Sequence, residues 1–151
     1  MNRFININDR EQVLGLFSQL QVDAKPLWGK MTPQQMLEHL VVSVEYTNGK
    51  KVTGSDVPAE KALADKMRMV YTDWEIPKNV ILEELPGLNT FADLPGAVNQ
   101  LAIELDQFDR YFEQAGATSI HPAFGPLNHH EWLLWHGKHF THHLRQFGLW
   151  V

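Results

Sequence analysis

Asn128-His129-His130-Glu131-Trp132-Leu133-Leu134-Trp135-His136-Gly137-Lys138-His139-Phe140-Thr141-His142-His143-Leu144-Arg145-Gln146-Phe147 reads as one amphipathic helix, stopped by Gly148. Asn128 is a favoured N-cap, and Glu131 stands where its carboxylate reaches back to the cap backbone. Advancing about 100° per residue from Trp132 puts His139 at roughly −20°, His143 at roughly +20° and His136 near roughly +40°. Trp135, Phe140 and Phe147 lie on either side, so these imidazoles occupy the middle of the apolar stripe. Lys138, Thr141 and Arg145 point the other way and are expected on a solvated face. Each imidazole brings a donor and an acceptor that a core has to satisfy. One buried histidine is ordinary packing. Two at i and i+4, turned inward together, have the spacing with which a helix grips a metal ion.

Working outward, the same signals predict further helices. One runs from about Asp9 to Gln21, with Val13, Leu14, Leu16, Phe17 and Leu20 apolar. Pro26 and Gly29 mark the next stretch, Ala24 to Lys30, as a connection. Thr32-Pro33-Gln34-Gln35 combines an N-cap, proline at the first helical position and a capping-box glutamine. That helix is expected to reach about Tyr46 and stop before Asn48-Gly49. Asn48 to Val57 is turn-rich, and a shorter helix is predicted from Ala59 to Val70. Pro77, Pro86 and Gly87 make Tyr71 to Asn89 irregular, with Val80-Ile81-Leu82 as a short extended piece. Leu101, Leu105, Phe108 and Phe112 share one face of a helix predicted from Leu94 to Ala115, with Gly116 as its stop. His121 to Pro126 reads as a loop. With no alternating strand set, the expected fold is all-α: four main helices in a bundle, an additional short helix and a long irregular connection.

The 151 residues, 44% hydrophobic and 21% charged, suffice for one core, so 1–151 is read as a single domain. There is no cysteine, which excludes disulfides and zinc–thiolate sites. A net charge of −5 without a basic stripe argues against a nucleic-acid partner. No apolar run approaches the ~20 residues that span a membrane, and Met1 to Gln12 holds no signal-peptide core. A cytoplasmic location is therefore the expectation. Histidine is the unusual residue. Six of the eight (His129, His130, His136, His139, His142 and His143) crowd into the last helix.

A third ligand for His139 and His143 has to come from another helix. His39, within Met36-Leu37-Glu38-His39-Leu40-Val41, sits about 60° from Met36 at the edge of the apolar face. Taken alone, His39 reads more readily as a boundary residue. His136 shares the inward face and is a rival ligand. His142 falls toward the polar edge and is expected to point outward, and His129 and His130, in the first turn, read as surface residues. His121 either ties its loop together or faces the pocket.

Three separated segments resemble the DinB-like superfamily of metal-dependent enzymes. Trp28-Gly29-Lys30-Met31-Thr32-Pro33-Gln34-Gln35-Met36-Leu37-Glu38-His39-Leu40 is similar to the segment that supplies that family's first metal histidine. His121-Pro122-Ala123-Phe124-Gly125-Pro126-Leu127, followed by Trp132, and His139-Phe140-Thr141-His142-His143-Leu144-Arg145-Gln146 are most similar to a branch of unknown function. The resemblance implies a DinB-like four-helix bundle, commonly a homodimer, with a metal between helices. Carried over position by position, the ligands are His39, His139 and His143, which leaves His136 lining the pocket or supporting a ligand.

Three neutral imidazoles leave a divalent ion uncompensated and at least one position open, as in catalytic rather than structural zinc. Zinc or nickel is the expected ion; copper and iron are compatible with the same donors. Such an ion acidifies a bound water or holds an anionic thiolate or carboxylate. Two reaction classes follow: metal-dependent hydrolysis, and transfer involving a low-molecular-weight thiol. Hydrolysis benefits from a carboxylate base, and none is assigned. Glu38 points elsewhere on its helix, Glu131 serves the cap, and Asp73 and Glu75 lie in the irregular region. Trp28, Trp132 and Trp135 fit an apolar substrate pocket or plain core packing equally well. The alternative is a non-catalytic metal-binding or interaction module whose histidines form a structural polar core.

Overall fold

The computed structural model describes residues 3–78 and 89–151. Among these, five helices and one short hairpin follow in order: α1 (Arg10–Phe17), α2 (Pro33–Glu45), α3 (Ala59–Met69), α4 (Leu94–Tyr111), β1 (Ser119–His121), β2 (Gly125–Leu127) and α5 (His129–Gln146). The protein is mostly helical, as expected. Both capping boxes form. Thr32 Oγ1 accepts from Gln35 N at 3.1 Å while Gln35 Oε1 accepts from Thr32 N at 3.0 Å. Asn128 and Glu131 do the same at 2.9 and 3.0 Å. Four N–H groups that a helix start would leave unpaired are thereby satisfied.

α1 and α4 stop four residues earlier than their apolar periodicity suggests. After Phe17 the backbone switches to three-residue bonds, Gln19 N to Leu16 O and Leu20 N to Phe17 O. Glu113 N to Arg110 O and Ala117 N to Gln114 O do likewise after Tyr111, before Gly116 at φ 73°. Such tight turns keep apolar side chains on the same face without continuing the α-helix. The segment expected to be a loop at His121 to Pro126 is instead the turn end of an antiparallel hairpin, Ser119 opposite Leu127 and His121 opposite Gly125. Three residues per strand are too few for alternation to show. Val80-Ile81-Leu82 lies outside the described residues.

α2 packs most closely on α4. Met36, Leu37, Leu40 and Val44 join Leu101, Leu105 and Phe108 in one core with Phe140 and Leu144 of α5. A polar clasp closes one end. Glu104, fully buried, accepts from Asn48 Nδ2 at 3.0 Å, from Gln100 Nε2 at 2.8 Å and from Lys50 Nζ at 2.7 Å. Burial raises its pKa, but these donors outweigh it and hold the carboxyl below its ordinary value. No helix among the described residues is long and apolar enough to cross a membrane.

The solvated face expected on α5 is not solvated. Lys138 is 3% exposed and Thr141 is fully buried. The N-terminal segment crosses this face, with Ile5 N donating to Thr141 Oγ1 at 2.8 Å. Lys138 Nζ donates to Thr72 O and Trp74 O, both at 2.6 Å, and lies 4.3 Å from the centre of the Phe4 ring. Gly137 makes this crossing possible, because a Cβ there would stand 2.8 Å from Ile5 O. Gly137→Ala should therefore destabilise the fold, because overpacking costs about 1–3 kcal/mol against the ~1 kcal/mol that alanine contributes to a helix, a net loss of up to about 2 kcal/mol. A urea unfolding curve reads the result; a gain in midpoint would show that the segment moves aside freely.

Candidate metal centre

His39 projects from the middle of α2, and His139 and His143 from the last two turns of α5. His39 Nε2 lies 2.9 Å from His139 Nε2, which lies 3.2 Å from His143 Nε2. One ligand atom from each ring falls within 4.8 Å of the others. Around a tetrahedral ion at ordinary zinc–nitrogen distances, neighbouring donors stand ~3.3 Å apart. The His39–His139 and His139–His143 pairs lie within a few tenths of an ångström of that spacing.

Gln146 Nε2 donates to Trp28 O at 3.1 Å, which leaves Oε1 to accept, and His143 Nδ1 is 2.8 Å away. Nδ1 of His143 therefore carries the proton, and in the neutral ring Nε2 presents a lone pair to the centre. If His139 Nε2 donates its one hydrogen to that lone pair, it has no in-plane acceptor left for His39. If it accepts from His39, it faces His143 lone pair to lone pair. At most one of the two short contacts is a hydrogen bond between neutral rings. A cation on the shared side would resolve both. Burial foremost, and the neighbouring imidazoles after it, push His143 down to about 3 and His139 well below its ordinary value. Both are neutral at pH 7, the form that ligates metal.

The other histidines separate cleanly. His136 is not in the cluster and does not line it. Its ring is 1% exposed, stacked on Trp132 and packed by Phe108 and Phe140, with Nε2 3.1 Å from Thr47 Oγ1. His121 ties its hairpin together, Nδ1 accepting from Ala123 N at 3.0 Å and the ring stacked on Phe124. His129 and His130 are exposed, as expected for the first turn. His142 does not point outward. It is half-buried, its ring 5.4 Å from Trp28 and 5.1 Å from His143. Trp132 and Trp135 serve the core, Trp132 Nε1 donating to Ser119 O at 3.1 Å.

None of the four carboxylates weighed from sequence is ready to act as a base at this centre. Glu38 accepts from Gln34 Nε2, Thr90 N and Phe91 N, anchoring the lead-in to α4. Glu131 is held by its cap, by Tyr71 Oη and by Lys66. Glu75 pairs with Arg3 and Arg145, and Asp73 is exposed. The residue that sequence reasoning undervalued is Gln146, whose amide fixes the His143 tautomer; its place three residues after a histidine on a helix was the available signal.

Residues 2–148 match a family described as "Protein of unknown function (DUF1569)". The chain belongs to the DUF1569 family. No curated protein and no solved structure matches it. The match contains His39, His139 and His143, and the DUF1569 description names no reaction, so chemistry rests on the geometry of these side chains.

Proposed function

We propose that this DUF1569 protein is a metal-dependent enzyme built as a DinB-like four-helix bundle, with His39, His139 and His143 holding one zinc or nickel ion. The convergence of three Nε2 atoms whose hydrogen bonds cannot all be satisfied among neutral rings carries this reading. A divalent ion there supplies Lewis acidity and an open position for an anionic group. His143 is oriented by Gln146, and Gln146 by the Trp28 carbonyl. Because Glu38, Glu75 and Glu131 are already engaged, transfer to or from a low-molecular-weight thiol is preferred over hydrolysis, which gains more from a nearby base. A homodimer in the cytoplasm completes the proposal.

The second reading is a polar core without catalysis, favoured by the 2.9 Å contact between His39 and His139, which is the length of a hydrogen bond between rings. Elemental analysis of untagged protein separates the two. Near-stoichiometric metal, removable by chelator with helicity retained, supports a substrate-accessible centre and calls for thiol-transfer and ester-hydrolysis assays. No metal even after zinc and nickel are added back overturns the proposal. Gln146→Ala should weaken the metal by ~10–100-fold, the usual effect of losing a partner that orients a ligand. Competition with a chromophoric chelator measures it; unchanged affinity would show that His143 needs no such support.

A further inference from the structure

Beside the histidine cluster, and not lined by it, lies a cavity of about 220 Å³. It is smaller than the ~300–1,000 Å³ of most small-molecule pockets. Among the described residues its charged lining is Lys78, Lys138, Arg145 and one acid, Glu75, an excess of cations in a chain of net charge −5. Glu75 is already shared by Arg3 and Arg145. Lys78 Nζ sits 4.7 Å from the centre of the Trp28 ring and makes no hydrogen bond or ion pair with an acceptor among the described residues. Lys138 Nζ uses two hydrogens on Thr72 O and Trp74 O, leaving a third. Trp28, which also lines the cavity, has a buried Nε1–H with no acceptor.

We propose that this cavity is the subsite that binds the oxyanion group, a carboxylate or phosphate, of a small molecule brought to the histidine centre. The two ammonium groups and the Arg145 guanidinium are donors without lone pairs, so the complementary ligand group is all acceptor and negatively charged. Phe4 and Ile76 supply an apolar wall for the rest of the molecule. The cavity meets the centre through His142, whose ring touches both Trp28 and His143. Its role as a substrate subsite rests on the proposed function; its affinity for an oxyanion does not.

The test uses chelator-treated full-length protein at low ionic strength, titrated separately with benzoate and with inorganic phosphate. The readout is the indole N–H resonance of Trp28, assigned with Trp28→Phe. A saturable shift is expected with at least one probe, and the stronger of the two identifies the oxyanion. Lys78→Ala, at an exposed position, should weaken binding by about tenfold without unfolding, and added salt should weaken it further. Binding should persist in His139→Ala, so loss of metal and loss of oxyanion are read independently. No shift with either probe into the tens of millimolar, or equal affinity in Lys78→Ala, overturns the proposal.

Discussion

His139→Ala is expected to lower divalent-metal affinity by more than the ~100-fold upper effect of losing a supporting partner, because a ligand itself is removed. His139 is the shared member of both short contacts, within hydrogen-bonding distance of His39 and His143. Its removal leaves two donors on separate helices, too few to close a tight site. The fold should survive. Among the described residues the aromatic ring contacts of His139 are to the other two imidazoles, and alanine suits a helix. Far-UV circular dichroism should match wild type while elemental analysis shows the metal gone. His130→Ala, an exposed first-turn change, should retain it. Metal retained in His139→Ala would place the ion elsewhere.

The second large effect is acid destabilisation that begins above the carboxylate range. Burial pushes His136 down to about 3, and His121 to about 4. Both are neutral in the folded protein at pH 7. In the unfolded chain they titrate near 6.5, so below that pH the unfolded state binds more protons. The stability they confer is thus fully present above pH 6.5 and drains away toward pH 3–4. For His136 alone the loss is about 2 kcal/mol by pH 5, a sizeable share of the ~5–15 kcal/mol that holds an ordinary domain together. Thr47 Oγ1 donates to Val44 O, so it accepts from His136 Nε2, and the lone pair on Nδ1 is left buried without a donor. His136→Phe fits the same aromatic surroundings and removes both the orphan and the titration. Urea unfolding of the metal-free proteins between pH 5 and 8 should show a flatter pH dependence in the variant. Equal slopes would shift the acid sensitivity to other groups.

Most of the secondary structure was legible because its signals are local. Thr32-Pro33 with Gln35, Asn128 with Glu131, and the apolar spacing of Leu101, Leu105 and Phe108 each specify a helix within a few residues. The inward turn of His139 and His143 was legible for the same reason. His39 was the natural third candidate, but only the resemblance assigned it, since nothing in its own helix separates a ligand from a boundary residue. The hairpin escaped because its strands are three residues long.

By itself, then, the sequence determined where helices start, which stripe of each is apolar, and that imidazoles lie within the stripe of the last one. Tertiary structure decided everything that depends on what covers a helix. Lys138 and Thr141 look solvated on a wheel, yet segments around Ile5 and Trp74 close over them. Thr47 and Asn48 look like a surface turn, yet they are buried against His136 and Glu104. The tautomer of His143 follows from an amide that takes its orientation from the Trp28 carbonyl, more than a hundred residues away in the chain. Periodicity is fixed by 3.6 residues per turn and is read from neighbours. Which distant segment meets a face is fixed by the packing of the whole chain, where every buried donor and acceptor has to find its partner at once.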